Sequence, residues 1–233
     1  MVEIPSQHTD IWSLNKEIAN CRLCPRLVSW REDIAAVKRR AFKDCTYWGK
    51  PVPGFGDENP RLLIVGLAPG AHGSNRTGRM FTGDASGNFL FAALHRAGFA
   101  SKPVSLSMDD DLKLKGVFIT ALARCAPPDN KPTTEEFHNC RRFLTTEIAM
   151  FDRLEGIVAL GALAYQHVLD IYHLTGNTGK HPSFGHGVMA QLDGGGPWVL
   201  ASYHPSRQNT QTGRLTQEMF DQIWEHAGRL LKG

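Results

Sequence analysis

The residues most suited to chemistry in this 233-residue chain lie in three loops, and the first of them spans residues 66–84. Five glycines in this loop allow a close backbone approach to a ligand. Arg76 and Arg79 can neutralise phosphates, and Phe81, between glycines, suits stacking on a planar ligand. Asp84 fits a helix N-cap and a catalytic carboxylate equally well. The loop matches neither a P-loop nor a dinucleotide fingerprint, and a plain glycine-rich turn with surface arginines is the alternative.

The second and third loops add an amide and an imidazole. Residues 124–133 contain prolines that hold Asn130 in one place, where its amide can read a base edge, although an Asn in a turn is a common structural feature. Residues 202–213 contain His204 in a stretch rich in Ser and Asn, which favours a ligand role over a structural one. Three polar side chains beyond it can bind phosphate or enter a duplex: Ser206, Arg207 and Asn209.

Four of the five cysteines form a separate constellation. Cys21 and Cys24 make one CxxC pair, whereas Cys125 and Cys140 are distant from it in the chain. Four thiolates can hold zinc or a [4Fe–4S] cluster, and the lack of a second CxxC pair favours iron–sulfur over a zinc ribbon. Cys45 has no partner at ligand spacing and is expected to be an ordinary thiol.

Alternating strand and helix patterns position these loops. Short apolar runs predict buried parallel strands at 61–66, 117–122, 156–160 and 198–202. Helical periodicity covers 10–41 with a break at Pro25, and also 87–97, 134–153, 162–172 and 215–231. This order predicts an α/β fold with a mainly parallel sheet, in which ligands bind at the carboxyl ends of the strands. Because the three loops follow three of these strands, we expect them to form one shared site.

Composition excludes several classes of protein. No apolar run approaches the roughly 20 residues of a membrane span, and residues 1–10 lack the pattern of a secretory signal. Without such a signal we expect a cytoplasmic protein, and an odd number of cysteines argues against a disulfide framework. A net charge of +3 is consistent with a polyanionic partner but is weak evidence alone. We expect a single domain over 1–233, with the helical segment at about 10–45 supplying two of the clustered cysteines.

These motifs together resemble the family 5, or type B, uracil-DNA glycosylases, an iron–sulfur-containing branch of the uracil-DNA glycosylase superfamily. The resemblance runs from Cys21 to the C-terminal helix. It rests on GLAPGAHGSNRTGRMFTGD at 66–84, RCAPPDNKPT at 124–133, SYHPSRQNTQTGRLT at 202–216 and the cysteine spacing.

The resemblance implies a three-layer αβα sandwich with a central, mainly parallel sheet. It also implies a structural [4Fe–4S] cluster on Cys21, Cys24, Cys125 and Cys140. The implied reaction is hydrolysis of the N-glycosidic bond of uracil, hypoxanthine or etheno-cytosine in double-stranded DNA, which leaves an abasic site. We expect a monofunctional enzyme, because the three loops contain no lysine for a Schiff base to the sugar except Lys131. A monomer is the default expectation.

The resemblance also assigns residue roles. Asp84 is the first candidate to position water or stabilise positive charge on the sugar, and Asn130 is the second. His204 would donate a hydrogen bond to the departing base anion, and Phe81 would stack on the extruded base. The expected substrate-binding residues are Gly66, Ala68, Gly70, Arg76, Phe81, Ser206, Arg207 and Asn209. Phosphates would be held by Arg76, Arg79 and Arg207.

The chain departs from the wider superfamily at two positions. Related enzymes carry a polar residue near Ala68 that holds the attacking water, and an Asn at Ala121 that reads uracil. A site without these hydrogen-bond demands rejects analogues weakly, so we expect loose base discrimination.

Two other functions fit parts of the sequence. A metal-dependent nucleotide hydrolase would use His181, His186 and His204, although no carboxylate is spaced to complete that site. A non-catalytic protein that binds DNA lesions would explain the missing polar residue at Ala68.

Overall fold

The computed structural model describes residues 10–174, 181–192 and 196–232. Its described strands form one sheet in the order β1-β3-β2-β4-β6-β5. The strands are β1 (Phe55–Gly56), β2 (Leu62–Gly66), β3 (Val117–Ala121), β4 (Gly156–Leu160), β5 (Met189–Ala190) and β6 (Trp198–Ser202). The four central strands are parallel, and the two short edge strands are antiparallel to their neighbours.

Helices cover both faces of this sheet. They are α1 (Ile11–Asn20), α2 (Pro25–Val37), α3 (Ser74–Thr77), α4 (Ala85–Arg96), α5 (Thr134–Met150), α6 (Ala162–Leu174), α7 (Arg207–Gln211) and α8 (Gln217–Leu230). One apolar core joins α4 and α8 to one face of the sheet, and a second core joins α1, α5 and α6 to the other. The predicted three-layer αβα architecture with a mainly parallel sheet is therefore confirmed.

The two cores follow from the alternation of side chains along each strand. On β2, Leu62 and Ile64 enter the first core, whereas Leu63 and Val65 enter the second. Every residue of the four central strands is buried. Strands buried on both faces need continuous apolar runs, which is why these runs were readable in the sequence.

Strand register brings the expected loops to one edge. Gly66 on β2 pairs with Ala121 on β3, and Leu160 on β4 pairs with Ser202 on β6. These strands therefore end at the same level, and the chain beyond β2, β3 and β6 leaves from a common edge.

Local signals set most helix boundaries. Pro25 begins α2, as its fixed φ allows at a first helical position. Thr133 caps α5 in a full capping box with Glu136, so the predicted start of that helix is confirmed. The short elements β1, β5, α3 and α7 were not predicted, because two to five residues carry too little periodicity to stand out. None of the described helices is long and apolar enough to cross a membrane.

Candidate active site

A cavity of about 500 Å³ lies at the carboxyl edge of the sheet, where the three loops meet. Its lining residues are Leu67, Ala68, Gly70, Ser74, Met80, Phe81, Asp84, Ser86, Ala121, Asn130, His204, Ser206, Arg207 and Gln208. The convergence predicted from the strand order is therefore confirmed. Eight of the eleven catalytic and substrate-binding residues expected from the sequence line this one cavity.

Asp84 is the N-cap of α4, and it also lies at the cavity, where a catalytic carboxylate is expected. Its Oδ1 accepts a hydrogen bond of 2.9 Å from the N–H of Gly87, which caps α4. The same side chain lines the cavity. Burial raises the pKa of the Asp84 carboxyl, against the lowering effects of backbone donors from Gly87 and Ser86 and of the Arg76 charge. A carboxylate held in this way sits at a helix start, where the helix dipole favours its charged form.

Phe81 is held in a backbone conformation that few side chains adopt. Its φ is 53°, in the left-handed region. The ring packs so closely on Gly66 that a Cβ there would come within 2.8 Å of two ring carbons. Phe81 also joins the first core while it lines the cavity. The ring is therefore a rigid wall rather than a mobile surface group, and strain of this kind is typical of functional sites.

His204 lies beside Phe81 in the cavity wall. Their ring centroids are 6.0 Å apart and their planes are inclined by 31°. Burial lowers the pKa of the His204 imidazole to about 4, so the ring is neutral at pH 7. Its backbone is fixed by two donors to the His204 carbonyl, the Asn209 side-chain amide at 2.9 Å and the Ser206 N–H at 2.7 Å. A neutral imidazole can still donate one N–H to a ligand.

Asn130 lies at the exposed rim of the cavity. Asp129 and Asn130 both have left-handed φ values, 52° and 56°, within the short turn Pro128–Asn130. Asn and Asp tolerate this conformation better than most residues. Arg207 is exposed beside the same cavity, and Ser206 both lines it and caps α7.

Three expected substrate-binding residues stand behind the cavity lining and support it. Gly66 provides the space for the Phe81 ring, and Asn209 holds the His204 backbone. Arg76 donates to the carbonyls of His72 and Gly83 at 2.9 and 3.1 Å, and so closes the glycine-rich loop on itself. The described contacts of these residues are therefore structural.

The prediction that Arg79 holds a phosphate is wrong. Arg79 is only 5% exposed and pairs with Asp110 at 2.6 Å. It also donates to the hydroxyls of Thr82 and Ser105. Its partners Ser105 and Asp110 lie far along the chain, so no local pattern indicated that this arginine is internal.

Two glycines shape the site in ways that the sequence analysis missed. A Cβ on Gly73 would overlap the Asp84 carboxylate, and one on Gly87 would overlap the Phe81 carbonyl oxygen. The sequence did contain an indication for Gly87, namely its position three residues after the capping Asp84, where a residue can lie close to the preceding loop.

The base of the cavity is apolar where related enzymes are polar. Ala68 and Ala121 both line it, and neither side chain makes a hydrogen bond. This part of the wall can therefore reject a ligand that is too large, but it cannot reject a ligand for lacking a particular hydrogen bond.

The four clustered cysteines meet at a second, smaller cavity. Cys21 ends α1, Cys24 caps α2, Cys140 lies in α5, and Cys125 lies in the loop after β3. Cys45 does not line this cavity. No three described His, Cys, Asp or Glu side chains are close enough to share a single metal ion.

A buried arginine with free hydrogen-bond donors lies beside the cysteines. Arg124 is 1% exposed and lines their cavity; its Nη2 pairs with Glu147 at 2.6 Å. Its Nε and Nη1 have no hydrogen-bond partner among the described residues. Burial raises the pKa of Cys125 to about 12 and that of Cys140 to about 11. Thiols this deeply buried ionise when a cation binds them, and Arg124 has donors left for the resulting anionic group.

His186, one of the three histidines of the alternative metal site, serves the fold. The Nδ1 of His186 accepts from the Tyr203 N–H at 3.1 Å, and its Nε2 lies 3.1 Å from the Met219 carbonyl oxygen. Both ring nitrogens are thus in use. His186 cannot join a metal site with His204 without losing these bonds.

The fold and the cavity together define a class of protein. It is an α/β protein whose mainly parallel sheet presents an aromatic ring, a carboxyl group and a neutral imidazole around one cavity. A model of the uracil DNA glycosylase superfamily matches residues 53–228, and the chain belongs to that superfamily.

Individual relatives narrow the comparison. The type-5 uracil-DNA glycosylase of Mycobacterium tuberculosis is 54% identical over 94% of this chain and 81% of its own length. That of Thermus thermophilus is 55% identical over 90% of this chain and 93% of its own. A type-4 uracil-DNA glycosylase of Thermotoga maritima is 30% identical, over 76% and 83% of the two chains. The predicted resemblance to family 5 is confirmed, and so is the prediction of an enzyme of the uracil-DNA glycosylase class.

Proposed function

We propose that this protein removes uracil and related damaged bases from double-stranded DNA by hydrolysing the N-glycosidic bond. The observation that carries the proposal is the single cavity that brings Phe81, Asp84, Asn130 and His204 together. Its membership of the superfamily and its similarity to type-5 enzymes support the same reaction.

The geometry suits a base that has been turned out of the helix. Flipping a nucleotide costs a few kcal/mol, and least when the base is mispaired. Inside the cavity the base would stack on Phe81, whose ring is already fixed by Gly66. Since the wall is built before the substrate arrives, little ordering is left to oppose binding.

Bond cleavage requires stabilisation of two charges. The bond breaks with positive charge developing on the sugar and negative charge on the departing base, as in glycoside cleavage. The carboxylate of Asp84 would stabilise the sugar or position the attacking water. The neutral His204 would donate an N–H to the base anion, and Asn130 is the second candidate to hold the water.

The finer substrate range and the outcome of the reaction belong to the same proposal. The apolar positions Ala68 and Ala121 place few hydrogen-bond demands on the base, which supports acceptance of hypoxanthine and etheno-cytosine as well as uracil. No lysine is among the residues that line the cavity, which supports a monofunctional enzyme that leaves an intact abasic strand. That the protein acts as a monomer stays a prediction.

We further propose that Cys21, Cys24, Cys125 and Cys140 hold a [4Fe–4S] cluster. Such a cluster takes one thiolate per iron, so its ligands surround a volume rather than meet at one point. The shared cavity and the spare donors of Arg124 support this assignment. When bound, the cluster would cross-link separate elements, and no step of base release requires it.

The test is base release from a duplex oligonucleotide with one G·U pair, scored as strand cleavage after alkali in the presence of EDTA. Asp84→Asn removes the carboxylate but should keep the helix cap, because Asn also caps helices well. We expect wild type to release uracil and Asp84→Asn to do so at least about 100-fold more slowly, a typical contribution of one positioned acid–base group. Parallel duplexes with hypoxanthine or etheno-cytosine test the range, and omission of alkali tests for strand cleavage by the enzyme itself.

The other outcomes are equally informative. Equal rates for the two proteins would move the chemistry to Asn130, His204 or the substrate's phosphates. Tight binding by wild type without base release would instead identify a non-catalytic lesion-binding protein. Equal thermal unfolding of the two proteins is the control that the α4 cap survives.

A further inference from the structure

A basic segment at residues 38–43 remains outside the site described above. It follows α2 and contains four cationic residues in six: Lys38, Arg39, Arg40 and Lys43. Arg39, Arg40 and Lys43 are exposed. In the described part of the chain, no carboxylate lies within ion-pair distance of these three. Exposed cations without internal partners are available to an external anion.

This basic segment is physically connected to the loop that forms the active-site cavity. Phe42 lies under the Arg76 guanidinium, which is 4.2 Å from the ring centroid. Arg76 in turn donates to the carbonyl of Gly83, directly before Asp84. Arg39 lies near enough to His72 for its charge to contribute to the lowered pKa of that imidazole, after the larger effect of burial.

Further contacts hold the following residues against the same loop. The N–H groups of Trp48 and Gly49 donate to the carbonyls of Arg76 and Asn75 at 2.9 and 3.0 Å. The Tyr47 hydroxyl lies 2.9 Å from the His72 ring nitrogen. The C-terminal end of the basic segment is therefore held against this loop, by Phe42 and by the residues 47–49 that follow.

We propose that the basic segment binds the phosphate backbone of duplex DNA beside the nucleotide that enters the cavity. The proposal rests on the proposed function and extends it to the surface that holds the DNA. Arg207 places one exposed cation at the cavity after β6, and the basic segment adds three after α2, against the loop that follows β2. Flipping a nucleotide requires its flanking phosphates to be held while stacking is lost.

The test is the salt dependence of binding to a short duplex by the full-length protein. Each phosphate contact changes the slope of log K against log salt by about 0.9 for duplex DNA. We expect the triple variant Arg39→Gln/Arg40→Gln/Lys43→Gln to lower the magnitude of this slope by about 2 to 3, and affinity near physiological salt by at least about tenfold. Its slower uracil release at limiting protein concentration should recover when the salt is lowered.

The chain offers a matched control. Lys113, Lys115 and Arg153 are also exposed, and they lie before β3 and β4, at the opposite edge of the sheet from the cavity. Lys113→Gln/Lys115→Gln/Arg153→Gln removes the same charge and should leave both the slope and uracil release at wild-type values. All six positions are on the surface, so equal thermal unfolding is expected and is measured first.

A wild-type slope in the first variant, or an equal loss in the control, would overturn the proposal. These results do not depend on catalysis. If the wild type released no uracil and the first variant alone lost slope, the glycosylase function would be refuted while the DNA contact would stand.

Discussion

The catalytic candidates are residues whose structural and chemical roles coincide. Asp84 caps α4 with one carboxylate oxygen while it lines the cavity. His204 is fixed through its carbonyl, which leaves the ring to face Phe81. The second oxygen of Asp84 and the ring of His204 are thus free to react but already held in position. Such pre-positioning lowers the free-energy cost of orienting these groups in the transition state.

A neutral His204 has a measurable consequence for stability. Its pKa is about 4 in the folded protein, against about 6.5 in the unfolded chain. Between these pH values the unfolded chain binds a proton that the folded protein does not, so the free energy of unfolding falls as pH drops from about 6.5 to 4. At pH 5 we expect this effect to cost about 1–2 kcal/mol.

This loss of stability is measured by urea unfolding of wild type and His204→Gln at pH 7 and pH 5. The wild type should lose more stability than the variant on acidification. The raised pKa of Asp84 acts in the opposite direction in both proteins, so it cancels in the comparison. Identical losses would mean that His204 does not titrate below its ordinary pKa.

At the scale of elements, the site is built from loops held against the starts of helices. The first loop contacts α4 so closely that position 87 has no room for a side chain, because the Phe81 carbonyl occupies that space. Phe81 itself has a left-handed φ at this contact. The start of α4 therefore sets both the aromatic wall and the carboxylate.

Gly87→Ala should therefore damage the fold and the site together. Overlap with backbone cannot be relieved by a rotamer change, so we expect a loss of about 2 kcal/mol or more in the free energy of unfolding, with uracil release impaired. Gly228→Ala in α8 is the matched control, since the nearest atom to a Cβ there belongs to the Phe99 ring and is 3.9 Å away. That variant should gain about 0.5–1 kcal/mol from helix propensity. Both are measured by urea unfolding, and a neutral Gly87→Ala would contradict the packing argument.

At the scale of the whole molecule, the four clustered cysteines join parts of the chain that are distant in sequence. Two lie between α1 and α2, and two lie in the loop after β3 and in α5. Arg26 and Glu136 add an ion pair of 2.7 Å between the starts of α2 and α5. A cluster at this position would connect the N-terminal helices to the loop that presents Asn130.

Replacing one ligand should therefore release the cluster and weaken this connection. We expect Cys24→Ser to lose the brown colour and most of the bound iron, and to lower the unfolding midpoint by roughly 5 °C, which is about 2 kcal/mol for a chain of this size. Cys45→Ser should keep both properties, because Cys45 lies outside the cysteine cavity. Anaerobic purification followed by iron and sulfide analysis checks the result. A wild type that holds no iron after reconstitution would rule out the cluster.

Local features of the sequence were sufficient to predict the layers and the location of the site. The four central strands are continuous apolar runs, which is a signal that each strand carries by itself. Parallel strands end at one edge, so the three polar loops had to meet there. Asp84, Asn130 and His204 lie in these loops, so their position at one cavity followed from the strand order, whereas their catalytic roles were assigned by the resemblance to family 5.

Tertiary structure decided which charged groups are internal and which glycines are indispensable. Arg79 reads as a surface cation, yet it is buried against Asp110, and Arg124 is buried against Glu147. In the sequence Gly87 looks like an ordinary helix residue, but in the structure the Phe81 carbonyl occupies the space that a side chain would need. Burial and ion pairing depend on residues far apart in the chain, about which a local sequence pattern gives no information. The alternation of strands and helices depends on neighbouring residues, so the sequence predicts it.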